Sequence, residues 1–213
     1  MRIAIAGGHG QIARLLARRL VEAGHEPLAL IRKPDQIADI EADGATPVVI
    51  DLENTDDAQL AEVLTGCDAA VFAAGAGPDS GPARKLTLDR DGAILLADAS
   101  VQAGVKRLIV ISSRRADTFD PDSDDAFQIY LRAKSEADAA VRAHDDLDWT
   151  IVRPGGLTDE PGSGMLEIGD NVEGSIPRSD VAHLVADLVT SGRGVRRQFE
   201  VVAGATPIAD LQL

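Results

Sequence analysis

The sequence of 213 residues has few cysteines and few aromatic residues, and each deficit excludes a class of protein. Cys67 is the single cysteine, so no disulfide can form within the chain, and a reducing compartment is expected. No run reaches the roughly 18 apolar residues of a membrane span, and no cleavable signal segment is recognisable at the start. We therefore expect a cytoplasmic protein whose core, with 3% aromatic residues, is built mainly from Ala, Val, Ile and Leu.

Basic residues are also scarce, with 21 against 35 acidic ones and a net charge of −14. Nucleic acids and anionic membrane surfaces attract basic surfaces, so we expect neither as a partner. The charge leaves room for a local basic site that binds a phosphate group. No metal site is expected, because the four histidines lack the spacing of metal ligands. They are His9, His25, His144 and His183.

Seven short apolar runs alternate with longer amphipathic stretches. The runs are nearly continuous in Ala, Val, Ile and Leu, which is typical of strands buried on both faces of a parallel sheet. They span residues 2–6, 27–31, 46–51, 68–74, 106–113, 149–154 and 198–202. The amphipathic stretches span residues 11–23, 34–42, 56–64, 84–103, 126–144 and 179–190. This alternation predicts an α/β fold of the Rossmann type, a doubly wound and mostly parallel sheet of about seven strands flanked by helices.

No linker, internal repeat or low-complexity block divides the chain, so we expect residues 1–213 to form one domain. The segment 155–176 is rich in glycine and follows the sixth strand, which predicts a mobile flap or small substrate-side region at the binding edge. The helices at 84–103 and 126–144 could pair two copies into a homodimer or could simply cover the sheet. The sequence leaves both alternatives open.

A glycine-rich loop, AGGHGQIA at residues 6–13, joins the first strand to the first helix. Gly7 permits the turn, Gly10 lets a diphosphate approach the helix N-terminus, and Ala13 is small enough for close packing of helix on strand. An ordinary tight turn is the alternative, but the position after the first strand of an alternating chain favours a dinucleotide site. The loop residues expected to contact the cofactor are Gly7, Gly8, His9, Gly10, Gln11 and Ile12.

Two basic residues follow the second strand, where an NAD site usually has an acidic residue. Arg32 and Lys33 lie 22 and 23 residues beyond Gly10, and their charges could pair with a ribose 2′-phosphate. The sequence therefore favours NADP over NAD. The alternative is that both are solvated loop charges.

Residues at the ends of the next two strands complete the predicted cofactor site. Asp51 could hydrogen-bond the adenine amino group while Leu52 packs against the ring. The small residues Ala73, Ala74 and Gly75 would let the cofactor ribose lie against the backbone.

The single tyrosine, Tyr130, is followed four residues later by Lys134, one of four lysines. Residues four apart share a helix face, and an ammonium group beside a phenol favours the phenolate. Such a tyrosine can donate or accept a proton, although a solvent-facing pair on an amphipathic helix is the alternative. Ser112 and Ser113 follow the fifth strand, where a hydroxyl could bond a substrate carbonyl oxygen or could cap a turn.

The chain resembles the short-chain dehydrogenase/reductase superfamily, specifically its atypical NAD(P)-binding branch of NmrA-like and epimerase-like proteins. The segments that carry the resemblance are AGGHGQIA (6–13), AGVKRLIVISS (103–113), YLRAK (130–134), DWTIVRPGGLTDEPG (148–162) and IPRSDVAHLVADLV (176–189). The resemblance implies that Tyr130 is the general acid/base and that Lys134 binds the nicotinamide ribose and tunes the tyrosine. It also implies that Ser113, rather than Ser112, orients the substrate carbonyl.

The same resemblance places Pro154 and Gly155 near the nicotinamide carboxamide, with Ser112 beside the cofactor. It implies an NADP-dependent oxidoreductase that moves a hydride between NADPH and a small carbonyl, quinone or flavin-like acceptor. Two other functions stay open: a non-catalytic NADP-binding sensor, and a nucleotide-sugar epimerase or dehydratase. The retained pair of Tyr130 and Lys134 favours an enzyme.

Overall fold

A computed structural model describes residues 1–77 and 80–213 of the chain. Its strands are β1 (Arg2–Ala6), β2 (Glu26–Ile31), β3 (Thr46–Val49), β4 (Ala69–Phe72), β5 (Arg107–Ile111), β6 (Asp148–Pro154), β7 (Gly156–Thr158), β8 (Met165–Gly169), β9 (Ser175–Pro177), β10 (Arg197–Ala203) and β11 (Thr206–Pro207). Its α-helices are α1 (Gln11–Glu22), α2 (Ile37–Ala42), α3 (Asp57–Leu64), α4 (Pro82–Arg84), α5 (Asp91–Ala103), α6 (Ala126–Arg142) and α7 (Arg178–Ser191). A π-helical segment, Lys85–Arg90, connects α4 to α5, and short 3₁₀ turns occupy Pro34–Gln36, Ala116–Thr118 and Ile208–Asp210.

The main sheet has nine strands in the order β11-β8-β10-β6-β5-β4-β1-β2-β3. The seven strands that the apolar runs predict are parallel, while β8 runs antiparallel to β10 and β11. From β1 the chain builds outward to β2 and β3, and it then returns to the other side of β1 to add β4, β5 and β6. The topological switch point therefore lies between the neighbouring strands β1 and β4. Ligands of such sheets bind in the crevice at the carboxyl ends of these two strands.

Two helical layers cover the sheet. Because strand side chains alternate between faces, Ile3 and Ile5 of β1 pack in the core on the α1 and α7 side, while Ala4 and Ala6 face the opposite core. That second core is covered by α3, α5 and α6 and includes Leu96. Both faces of the central parallel strands β1, β2, β4, β5 and β6 are thus buried, which explains their nearly continuous aliphatic composition, whereas the edge strand β3 is partly exposed.

The predicted count of about seven strands was too low, since the sheet has nine and a further pair, β7 and β9, forms a separate parallel ribbon. The additional strands are two to five residues long and rich in glycine or proline, so they lack a periodic apolar signal. The segment 155–176, expected as a flap, contains β7, β8 and the start of β9, and β8 extends the main sheet.

Each edge strand of the main sheet contains a proline, Pro47 in β3 and Pro207 in β11. Within residues 1–77 and 80–213, no helix combines the length and the apolar character needed to cross a membrane.

Candidate functional site

The loop after β1 approaches β4 so closely that only glycine fits at its first position. Gly7 has φ +79°, and a Cβ built there would lie 2.5 Å from the Cα of Ala74. Gly10 ends the loop, and its N–H donates to the carbonyl of Gly7 at 2.8 Å. It caps α1 without a side chain, so the first N–H groups of this helix face the open end of the loop. This arrangement presents backbone donors and a positive helix end to an anion.

Gly8 has a different role, because it packs against the neighbouring strand. Its N–H donates to the carbonyl of Leu30 at 2.9 Å, and a Cβ there would lie 2.6 Å from that of Ala29. His9 points the other way, and its Nε2 lies 2.8 Å from Asp39 Oδ2. Gly8 and Gln11, which the sequence predicts to contact the cofactor, do not line either of the two cavities at this edge of the sheet.

Two cavities meet at the switch point and share the wall formed by Ala73, Ala74 and Gly75. The first, the glycine-loop cavity, has a volume of about 350 Å³ and is lined by the glycine-rich loop and by residues at the ends of β2 and β3. Its predicted members are Gly7, His9, Gly10, Arg32, Asp51 and Leu52. The second, the Tyr130 cavity, has a volume of about 1040 Å³. Its predicted members are Ile12, Ser112, Ser113, Tyr130, Lys134, Pro154 and Gly155.

The glycine-loop cavity has two arginines and one glutamate at its wall. Arg32 Nη1 lies 3.8 Å from Glu53 Oε2, and Arg84 donates to the same oxygen at 2.9 Å. Glu53 also accepts a hydrogen bond from Thr87 at 2.7 Å, so its carboxylate is already engaged. Lys33 lies outside this wall, and its N–H donates to Gln36. The structure thus brings Arg32 to the cavity and adds Arg84, which the sequence reasoning did not find.

Asp51 is held by its own turn. Its carboxylate accepts from the N–H of Glu53 at 3.1 Å and from Asn54 Nδ2 at 2.8 Å. Leu52 lies beside it at the same wall.

Tyr130 lies half-buried on α6 between two ammonium groups. The Nζ atoms of Lys85 and Lys134 are 5.5 Å and 5.8 Å from the centre of its ring. Phe127, one turn earlier, stacks on the same ring with a centroid distance of 6.0 Å and an interplanar angle of 29°. Lys85 also donates to the carbonyl of Gly77. The helix spacing of Tyr130 and Lys134 therefore places both side chains in one cavity, as the sequence predicts.

Lys134 is almost fully buried and is paired with an equally buried carboxylate. Its Nζ lies 3.3 Å from Asp89 Oδ1, a distance at which the charges attract although the angles fall short of a hydrogen bond. It donates to the carbonyl of Ile111 at 3.3 Å. Burial by itself lowers the pKa of Lys134, but the neighbouring Tyr130 and Asp89 outweigh burial and raise it overall. Lys134 is therefore a fixed positive charge at the cavity floor.

The two serines after β5 have separate surroundings. Ser112 donates to the buried Asp138 at 2.7 Å, and Asp138 also accepts from Arg153 Nε at 2.8 Å. Ser113 is half-buried at the cavity wall, and its hydroxyl donates to the carbonyl of Arg114 at 3.2 Å. The Ser112 hydroxyl is thus bonded to a buried side chain, whereas the Ser113 hydroxyl is bonded to the adjacent backbone carbonyl.

Pro154 is the last residue of β6 and Gly155 follows it, both at the same wall. A Cβ on Gly155 would lie 2.5 Å from the carbonyl oxygen of Gly174, so a larger residue would push β6 and β9 apart.

Sequence reasoning missed Asp89 and Lys85, which flank Lys134 and Tyr130. Both belong to the π-helical segment Lys85–Arg90, where the wider turn changes which side chains share a face. Such segments occur frequently at functional sites, but no sequence pattern predicts a π-helix here. The one relevant sequence feature is the pair of opposite charges at residues 85 and 89, which four-residue spacing can bring to one helix face.

The residues present fit a nicotinamide dinucleotide. Such a molecule has a diphosphate between two nucleoside halves. The diphosphate fits the loop at Gly7, where a Cβ would leave no room, and the open N-terminus of α1. The two contiguous cavities offer space for the two halves. The fold and this cleft define a dinucleotide-binding protein of the atypical short-chain dehydrogenase/reductase branch. A family model described as NAD(P)H-binding matches residues 7–192, and the chain belongs to this family.

Three similar proteins match this chain across nearly their whole length. The Bacillus subtilis protein YhfK, named an uncharacterized sugar epimerase, is 36% identical, with 99% of this chain and 98% of the relative covered. A candidate NAD-dependent epimerase/dehydratase from Bacillus halodurans is 36% identical with a TM-score of 0.89, covering 98% of this chain and 97% of that one. The oxidoreductase ylbE from Lactococcus lactis is 29% identical with a TM-score of 0.85, covering 98% and 94%.

Proposed function

We propose that the protein is an NADP-dependent oxidoreductase that reduces a small carbonyl, quinone or flavin-like acceptor, with Tyr130 as acid/base. The single observation that carries the proposal is Tyr130 in a large cavity, beside the fixed charge of Lys134 and contiguous with the glycine cradle. The likeness to a 29% identical oxidoreductase supports the same reaction class.

The chain's own residues would have separate tasks. Gly7, Gly10 and the N-terminus of α1 would hold the diphosphate, and Lys134 would bind the nicotinamide ribose. When bound, a nicotinamide ring supplies or accepts the hydride. A carbonyl oxygen that gains negative charge would receive a proton from the Tyr130 hydroxyl and a hydrogen bond from Ser113. Solvent would then return a proton to Tyr130.

The preference for NADP rests on Arg32, with Arg84 as a second cation at the same wall. A guanidinium suits a ribose 2′-phosphate because it can donate two parallel hydrogen bonds. Glu53 opposes this preference only weakly, because its oxygens already accept from Arg84 and Thr87.

The cofactor test is a fluorescence titration with NADPH and with NADH. We expect NADPH to bind about tenfold more tightly or better, and Arg32→Ala to remove most of that difference. Lys33→Ala is the matched control, since Lys33 lies outside the cavity wall. Equal binding of the two cofactors to the wild type would contradict the preference for NADP.

The activity test follows NADPH absorbance with a panel of small carbonyls, quinones and flavins. We expect Tyr130→Phe to lower kcat by about 100-fold or more while the NADPH Kd stays within about twofold. If wild type and Tyr130→Phe both bind NADPH and both fail to oxidise it with every acceptor, the result favours a non-catalytic NADP-binding sensor over a reductase.

A second candidate is an epimerase or dehydratase, favoured by the names of the two Bacillus relatives. Such an enzyme returns its hydride to the same substrate molecule, so it would consume no cofactor. Acceptor-dependent loss of NADPH absorbance separates the two candidates.

A further inference from the structure

The Tyr130 cavity carries positive charge within a strongly acidic protein. The chain has a net charge of −14, yet five charged side chains at this wall are basic. They are Lys85, Arg114, Arg115, Lys134 and Arg178. The acidic side chains at the same wall, among the described residues, are Asp89 and Asp125. Among the described residues of this wall, basic side chains therefore outnumber acidic ones by five to two, the reverse of the balance in the whole chain, which favours an anionic ligand.

Both acidic side chains are committed to the protein itself. Asp89 accepts from the N–H of Ala76 at 3.1 Å and pairs with Lys134. Asp125 caps α6 by accepting from the N–H groups of Phe127 and Gln128. Their negative charge is thus engaged within the protein. Arg114 is engaged as well, because its Nη1 donates to the carbonyl of Val172 at 3.1 Å, so Arg115 and Arg178 are the arginines of this wall through which a ligand could bind.

Arg115 has a backbone conformation that its residue type disfavours. Its φ is 61°, in the left-handed region, where side chains larger than glycine are strained. A buried carboxylate from β10 holds this conformation, since the N–H of Arg115 donates to Glu200 Oε1 at 2.8 Å. The fold therefore maintains strain at an exposed arginine that lines the cavity, which points to a function for this residue.

Arg178 already binds a carboxylate that a ligand could replace. Its Nη1 lies 2.7 Å from Asp159 Oδ1, and the Asp159 side chain is 74% exposed. An ion pair with so exposed a partner contributes little stability, so exchange for a substrate anion would cost little.

The remaining wall has exposed apolar surface. Phe127 is 60% exposed and Leu157 is 40% exposed, and both line this cavity. Exposed large apolar side chains in a concave site indicate an apolar ligand surface. The stacking of Phe127 on Tyr130 adds a flat aromatic face next to the proposed acid/base.

We propose that this cavity binds an oxyanion-bearing acceptor, a flat conjugated carbonyl or quinone compound that carries a carboxylate, sulfonate or phosphate group. Arg115 and Arg178 bind the oxyanion, while Phe127 and Leu157 contact the conjugated body. The inference rests on the proposed function, because it places the reducible group of this compound at Tyr130.

The test compares two fluorescent probes that share one skeleton, 1-anilinonaphthalene-8-sulfonate and uncharged N-phenyl-1-naphthylamine. Saturating NADP⁺ is present throughout to fill the cofactor half of the cleft. We expect the sulfonate to bind about tenfold more tightly than the neutral probe and to weaken with added salt. Equal binding of the two probes to the wild type overturns the inference.

The variants assign this selectivity to Arg115. Asn tolerates the left-handed region, so Arg115→Asn removes the charge without adding strain, and we expect about tenfold weaker sulfonate binding with neutral-probe binding within about twofold. Arg115→Lys, which keeps the charge, recovers most of the loss. Arg132→Ala is the matched control, because Arg132 pairs with Glu136 on the same helix and lies outside the cavity wall. Equal losses in Arg115→Asn and Arg132→Ala overturn the inference.

These outcomes are separable from the proposed reductase activity, since probe fluorescence needs no turnover. If NADPH is oxidised by neutral quinones while the two probes bind equally, the inference fails and the function stands. If sulfonate selectivity depends on Arg115 while no nicotinamide cofactor binds, the function fails and the anion site stands.

A second measurement uses turnover with 1,2-naphthoquinone and its 4-sulfonate. The quantity measured is kcat/KM for the 4-sulfonate divided by kcat/KM for the parent quinone. Comparing this ratio between wild type and Arg115→Asn cancels the difference in intrinsic reactivity of the two compounds. We expect the ratio to fall by about tenfold in the variant. An unchanged ratio overturns the role of Arg115.

Discussion

Lys134 Nζ and Asp89 Oδ1 lie 3.3 Å apart, and both side chains are at least 97% buried. The carboxylate comes from a π-helical segment and the ammonium from α6, so the pair joins these two elements at the wall of the Tyr130 cavity. Removing one partner of a buried pair leaves an uncompensated charge, which costs far more than the pair itself gains.

We therefore expect Asp89→Asn to lower the free energy of unfolding by about 3 kcal/mol. Asp91→Asn is the control, since Asp91 is exposed on the same helical run and should change stability by less than about 0.5 kcal/mol. The measurement is urea unfolding followed by fluorescence of Trp149, the single and buried tryptophan. Similar losses in the two variants would show that the buried charge is compensated by other groups.

The glycine loop makes a prediction that separates backbone strain from close packing. Gly7 and Gly24 have nearly the same φ, +79° and +78°, but only Gly7 has neighbours where a Cβ would lie. We expect Gly24→Ala to cost about 1 kcal/mol from strain alone. Gly7→Ala should cost about 3 kcal/mol or more, because Ala74 must also move. Equal midpoints in urea for the two variants would contradict the close approach of the loop to β4.

The adjacent serines should respond in opposite ways to removal of their hydroxyls. Ser112→Ala removes a buried hydrogen bond to Asp138 and should cost about 1–2 kcal/mol of stability. Ser113→Ala should leave stability within about 0.5 kcal/mol but lower kcat about tenfold or more. Stability is read by Trp149 fluorescence, and kcat by NADPH oxidation. A Ser112→Ala variant with lower kcat and full stability would reverse the two roles.

The ion pairs of Asp43 with Arg14 and Arg18 predict how the free energy of unfolding depends on pH. Burial by itself raises the pKa of Asp43, but hydrogen bonds from Arg14 and Arg18 outweigh it, and the net pKa lies below its usual 3.8. A carboxyl with a lowered pKa stabilises the folded state above its unfolded pKa, and this contribution is lost as pH falls through the folded pKa.

We expect Asp43→Asn to cost about 2 kcal/mol at neutral pH, because Arg14 and Arg18 lose their shared partner. The difference from wild type should stay constant down to about pH 5 and narrow below about pH 4. Urea midpoints at several pH values measure this difference, with Glu41→Gln in α2, the helix that Asp43 follows, as the control. A difference that does not change with pH would show that Asp43 acts by packing and not by charge.

The parallel sheet and its cofactor edge could be predicted from sequence because burial leaves a strong pattern. A strand such as β5 is covered on both faces, so every residue between Leu108 and Ile111 is aliphatic. The helix with Tyr130 and Lys134 was equally predictable, since a period of four residues puts both side chains on one face.

The cavity charges could not be predicted, because they depend on contacts between distant residues. Glu53 faces Arg84 across 31 residues, and Glu200 holds Arg115 across 85. The irregular π-helical segment adds a local reason, since an α-helical reading of residues 84–103 gives the wrong neighbours for Asp89. The predicted number of strands was too low for a related reason. A strand as short as β11, with two residues, is too short to show an apolar pattern in the sequence.

The prolines at the two outer strands bear on how copies of the protein can associate. An open sheet edge is a template for hydrogen bonding to another chain, and a proline lacks the N–H that such pairing needs. With Pro47 at one margin and Pro207 at the other, the sheet resists growth into a continuous intermolecular one. The two prolines thus help to guard the folded protein against edge-to-edge aggregation, because each removes a backbone donor from an outer strand.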